Sequence, residues 1–168
     1  MASDNPRDVV RFAELLDHHE QESRRGHQWF SRNPTALDVK ADIAGAGDIR
    51  GLVHHIVLVE LRYAEWLLGD ELTPPDQVPT ASADALSGSA EAAYAKWHAV
   101  LGSTTPARWD EVVPFPKPME HLKPTRRKCF VHAMMHSVRH WAQAATALRA
   151  AGHKPDFDHD FLFSTAIE

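Results

Sequence analysis

Twelve of the 168 residues are histidine, and they fall in groups: His18 and His19, His54 and His55, then His132, His136 and His140. A neutral imidazole offers a nitrogen lone pair to a divalent metal, so grouping of this kind points to metal chemistry. On a helix of about 100° per residue, with Cys129 at zero, His136 falls at about −20° and His140 at about +20°. Gln143 follows at about −40° and His132 at about −60° on the same stripe. His136 and His140 stand one turn apart and can meet a single cation. His132, one turn earlier, is either a further ligand or a group that supports the ligands. The flanking residues Ala133, Met134, Met135, Val138, Trp141, Ala142, Ala144 and Ala145 are apolar. Imidazoles on so apolar a helix need polar partners.

The third ligand has to come from another element, and the segment around His54 and His55 offers it. With His55 at zero, Leu52, Ile56, Val59, Tyr63, Trp66 and Leu67 fill an arc from about +20° to +120°, the expected core face. Arg50, His54, Arg62 and Glu65 fall on the expected solvent face. His55 therefore borders the core while His54 points outward, and His55 is favoured over His54. Three imidazoles leave open coordination positions, the arrangement of a catalytic rather than a structural site. Such a donor set suits zinc, nickel, copper or iron, with zinc and nickel first.

Other residues carry two readings each. Glu60 lies at about +140° from His55, at the edge of the apolar arc, so an ion pair is favoured over a general base. Gln143 either orients a ligand histidine or a metal-bound water, or makes an interhelical hydrogen bond. Cys129 lies about 10 Å along the axis from His136, too far to share its metal, and reads as a small buried filler ahead of a reactive thiol. Arg126, Arg127 and Lys128 open the last helix, where cations oppose the helix dipole; they form a solvated turn or an anion site. Trp109, in a proline-rich stretch, is a candidate cover for the pocket.

Four helices must position these groups. The first is expected over about 6–30, with Asn5 as cap, Pro6 in the first turn and Val9, Phe12, Ala13, Leu16 and His19 inward. The second runs over about 48–69 between Asp48 and Gly69, and the third over about 82–102 with Leu86, Ala90, Ala93, Trp97 and Val100 inward. The fourth runs over about 125–151 and stops at Gly152. Residues 104–124 carry five prolines and read as irregular, with a short extended piece over 109–114. The tail from His153 carries Phe157, Phe161, Leu162 and Phe163 and is expected to pack back on the body. The class is all-α, a four-helix bundle formed by residues 1–168 as one domain.

Composition narrows the function classes. Hydrophobic residues make up 43% and charged residues 24%, as in a globular chain. The net charge of −5 argues against nucleic acid as partner. A single cysteine rules out an intramolecular disulfide framework and a cysteine-only zinc site. The longest apolar stretch, 52–68, is broken by His54, His55, Glu60, Arg62 and Glu65, so no membrane span is expected. With a polar start that has no apolar signal core, the expected location is the cytoplasm.

The segments His55 to Glu60, His136 to Gln143 and Leu148 to Gly152 together resemble the DinB/YfiT-like family of metal-binding four-helix bundles. The family pattern is one histidine early in helix two, then His-x3-His-x2-Gln on the last long helix. The resemblance implies metal ligands at His55, His136 and His140, with His132 as an extra histidine outside the pattern. It also implies a homodimer and transfer of a low-molecular-weight thiol to an electrophilic small molecule. Two alternatives stay open: a metal-dependent hydrolase, and a non-catalytic metal-binding stress-response protein.

Overall fold

A computed structural model describes residues 10–115, 120–157 and 160–166. Four long helices form the body: α1 (Phe12–Arg32), α2 (Ile49–Leu68), α3 (Ala83–Ser103) and α4 (Arg126–Ala150). Among the described residues there are two isolated β-bridges and no strand, so the all-α bundle stands. No helix among them is long and apolar enough to cross a membrane.

Helix ends follow local chemistry. Asp48 accepts from the Gly51 amide at 2.9 Å, Ser82 from Ala85 at 3.1 Å and Thr125 from Lys128 at 3.3 Å, each satisfying an amide that the first turn leaves free. Gly69 closes α2 at φ 83°, a left-handed conformation that costs glycine little. The first helix differs from expectation. Val10 and Arg11 are not helical, and α1 starts at Phe12, where the Glu14 carboxylate accepts from the Arg11 amide at 2.7 Å. The expected cap at Asn5, with Pro6 and Val9, lies outside the described residues. Ala13, expected inward, is exposed.

Helix α2 packs on α3 and α4, and α1 packs on the same two, so α1 and α2 face each other across the diagonal. That order accounts for the long connections: both α1 to α2 and α3 to α4 must cross the bundle. The first crossing contains a short 3-10 helix at Pro34–Asp38, the second one at Pro106–Asp110. Instead of the extended piece expected over 109–114, a single bridge joins Val112 to Thr125. The Trp109 ring, the candidate cover, packs against Phe12 at 4.7 Å and Phe130 at 5.9 Å.

Helices α1 and α4 approach closely at Gly26, where an added Cβ would lie 2.5 Å from the Trp141 ring. Trp141, Phe30 and Phe157 pack together there, so the tail returns to the body at Phe157. Leu162 and Phe163, also expected to pack, are 81% and 62% exposed.

The buried arc of α2 is broader than expected and turned away from His55. It includes Val53, Val57, Glu60, Leu61, Ala64 and Glu65, whereas Val59, Tyr63 and Trp66 are half-buried. Glu65, expected in solvent, is buried because its carboxylate accepts from Thr73 Oγ1 at 2.6 Å and the Thr73 amide at 2.8 Å. At the bundle centre Glu60 Oε1 lies 2.9 Å from His19 Nε2, with both side chains 1% exposed. Facing helices on the diagonal meet here through polar groups, and Tyr94 from α3 stands beside His19 at a ring separation of 6.0 Å.

Candidate metal centre

Helix α2 contributes His55 and α4 contributes His136 and His140, at the seam where the two helices pack. One ring nitrogen from each lies within 4.8 Å of the others. Ring centroids are 5.0 Å apart for His55 and His136, 5.1 Å for His55 and His140, and 4.4 Å for His136 and His140. The cluster sits at an edge of the bundle rather than deep inside it: His140 is buried and His55 half-exposed. His55 lies off the fully buried positions of α2, at its packing seam with α4.

The donor atoms fit one cation. His55 Nε2 and His136 Nε2 are 3.1 Å apart. Two nitrogens bound at about 2.0–2.2 Å in neighbouring positions of one metal are separated by about 2.8–3.6 Å, and the observed distance lies in that range. His136 Nδ1 is buried with no hydrogen-bond partner among the described residues, so the polar contacts of this ring are all on the side where the three histidines converge.

The tautomer of His140 is fixed by two partners that agree. Its Nδ1 lies 2.7 Å from the Gln143 side-chain oxygen, which can only accept, so Nδ1 carries the proton. Its Nε2 lies 3.2 Å from Arg139 Nη2, which can only donate, so Nε2 presents its lone pair. Gln143 therefore orients this ring. Arg139 occupies the lone pair that a cation would take. It is exposed and free to withdraw into solvent.

All three imidazoles are held neutral. Burial, followed by the charges of His140, His55, Arg139 and His132, pushes His136 down to about 3. Burial is also the largest cause of the lowered values at His55 and His140. Neutral rings keep the lone pairs that metal binding needs.

The remaining site candidates lie elsewhere. His54 donates from Nε2 to the Pro75 carbonyl at 3.0 Å and faces the α2–α3 connection. His132 is outside the converging set; its ring is 5.9 Å from that of His136 and stands 5.5 Å from Tyr63. Glu60 pairs with His19 at the bundle centre and is not brought to the histidine cluster. Cys129 is buried, and burial pushes its thiol up to about 11, so it is a poor nucleophile at neutral pH. Arg126 and Arg127 are held by Glu111 and Asp110, both at about 3 Å (3.1 and 3.0 Å).

Sequence reasoning passed over Arg139. Its wheel position, about −80° from Cys129, borders His132 on the histidine stripe and was a usable signal. It also passed over His19 as the partner of Glu60, a pairing between diagonal helices that no single-helix wheel contains.

The sequence model of the DinB superfamily matches residues 12–144, a span that includes all three converging histidines. No curated protein matches the chain.

Proposed function

The chain belongs to the DinB superfamily, and with that as premise we propose that it is a metal-dependent enzyme that transfers a low-molecular-weight thiol to an electrophilic small molecule. The observation that carries this reading is the convergence of three neutral imidazoles, one of fixed tautomer, at a seam that solvent reaches. His55, His136 and His140 would hold one divalent ion, zinc or nickel. Three protein ligands leave further positions open, as catalytic sites do. A divalent ion there supplies positive charge that favours the deprotonated form of a thiol beside it.

The chain's own groups do the rest. Gln143 accepts the proton-bearing Nδ1 of His140 and holds that ring to its place. Arg139, once displaced from His140, is a cation at the rim, suited to receive an anionic substrate group. In the transfer itself the S–H bond breaks and an S–C bond forms. The electron pair of the bond that breaks at carbon moves to the leaving atom: a halide departs as the anion and the thiol proton goes to solvent, whereas the alkoxide of an opened epoxide takes that proton.

The reading includes a homodimer in the cytoplasm, where small thiols are kept reduced.

The test is metal-loaded protein assayed with a panel of thiols against electrophiles such as epoxides and haloalkanes. Turnover that needs both thiol and metal, and that His140→Ala abolishes, supports transfer. Metal-dependent turnover without thiol reassigns the site to hydrolysis. Stoichiometric metal with no turnover on the panel overturns the enzymatic reading in favour of a binding protein.

A further inference from the structure

A pocket of about 330 Å³ opens beside the histidine seam, on the N-terminal side of His136. Its size is at the lower end of small-molecule sites, which span about 300–1,000 Å³. Tyr63 and Phe115 form aromatic walls, with ring centroids 5.7 Å apart and planes at 72°. Leu122 adds apolar surface, and the His132 ring closes the side nearest the metal centre. The walls are held from behind: Trp66 packs on Phe115 at 4.6 Å and donates from Nε1 to the Pro114 carbonyl at 3.0 Å. Rigid aromatic walls of this kind receive a flat apolar body at little entropic cost.

The charge on this lining is all of one sign. Lys123 and Lys128 both contribute, and among the described residues no carboxylate does. The neighbouring cations of the same turn differ. Arg126 is paired with Glu111 and Arg127 with Asp110, whereas neither lysine has a carboxylate partner among the described residues. Glu111 and Asp110 are therefore engaged by the arginines and not by the pocket. The other titratable groups in the lining stay uncharged at neutral pH, since burial pushes the Tyr63 hydroxyl up to about 12, the Cys129 thiol up to about 11 and the His132 imidazole down from its ordinary value.

We propose that this pocket binds a small aromatic or similarly flat apolar anion, such as an aryl carboxylate, with its body against Tyr63 and Phe115 and its charge on Lys123 and Lys128. As the substrate site of a thiol transferase it rests on the function proposed above; as a binding site it does not. A ligand so placed has its uncharged end at His132, the turn of α4 before the first of the two α4 histidines of the metal centre.

The test uses full-length chelator-treated protein and calorimetric titration with two probes of one shape, naphthalene-2-carboxylate and the uncharged naphthalene-2-methanol. The carboxylate binds at least about tenfold more tightly, the difference expected of a charge-assisted contact. In the double variant Lys123→Gln/Lys128→Gln the two probes bind alike, and because both lysines are exposed the fold is retained, checked by circular dichroism. Phe115→Ala weakens both probes together. Equal binding of the probes to the native chain, no binding of the carboxylate, or a ratio untouched by the double variant overturns the proposal. Zinc titration of the same protein separates the two readings. Carboxylate binding without zinc binding defeats the metal site alone, and zinc binding without carboxylate binding defeats the pocket alone.

Discussion

Replacing Arg139 by Ala should tighten metal binding, although Arg139 touches one of the ligands. Its Nη2 donates to His140 Nε2 at 3.2 Å, so a cation must break that hydrogen bond before it can use the lone pair. For an exposed donor the net loss is about 0.5–1 kcal/mol. The guanidinium also repels the ion: at about 5 Å and a near-aqueous dielectric the interaction of single and double charges is about 1.5 kcal/mol, and physiological salt lowers it to about 1 kcal/mol. Together these give about 1.5–2 kcal/mol, or about ten- to thirtyfold in affinity. An opposing effect is small. The Arg139 charge helps to hold the three imidazoles neutral, but burial is the larger cause at each of them, so at pH 7.5 protons do not compete. The assay is competition for zinc against a chromophoric chelator at that pH, with Arg139→Gln as a second variant. Unchanged affinity means that Arg139 does not sit on the ligand in solution. Weaker binding means that Arg139 positions His140, and refutes the reasoning.

Three further outcomes follow from the geometry. Gln143→Ala removes the acceptor that fixes the His140 tautomer, and zinc affinity in the same assay should fall about ten- to a hundredfold. Glu60→Ala leaves His19 buried without its partner, and urea denaturation should show a loss of about 2–4 kcal/mol with metal content unchanged; loss of metal would place Glu60 at the site. Acidification should destabilise the metal-free protein. A histidine in the unfolded chain titrates near 6.5, whereas burial pushes His27 down to about 4 and His136 to about 3. Between those values the unfolded chain binds more protons, so this stabilisation is complete above about pH 6.5 and lost as pH falls toward 4. Melting temperatures at pH 7.5, 5.5 and 4.5 should decline in that order, and a flat profile contradicts the burial of these rings.

What could be read from the sequence was what local chemistry decides. Asp48, Ser82, Thr125 and Gly69 mark helix ends because they satisfy or release backbone groups within a turn of themselves. The His136 and His140 pair is legible because one helical turn brings the rings together whatever surrounds them. The face of α2 was misread for the opposite reason. A hydrophobic wheel puts Val59, Tyr63 and Trp66 inside and Glu65 outside, but Glu65 is buried by Thr73 from the following connection; Glu60 is buried and paired as expected, with a partner, His19, that comes from the diagonal helix. Partners supplied from other elements decide those positions. The aromatic pocket was hidden for the same reason, because Phe115 reaches Tyr63 only through the path of a long proline-rich connection.

The measurement that bears most directly on the account is metal content across a histidine series: native chain, His54→Ala, His55→Ala, His136→Ala and His140→Ala, each reconstituted with zinc, desalted and analysed for bound metal. One ion per chain is expected for the native protein and for His54→Ala, whose side chain is engaged with Pro75, and metal should be lost from the other three with helical circular dichroism retained. Metal that survives in His55→Ala but not in His54→Ala, or that survives in both α4 variants, would contradict the three-histidine centre.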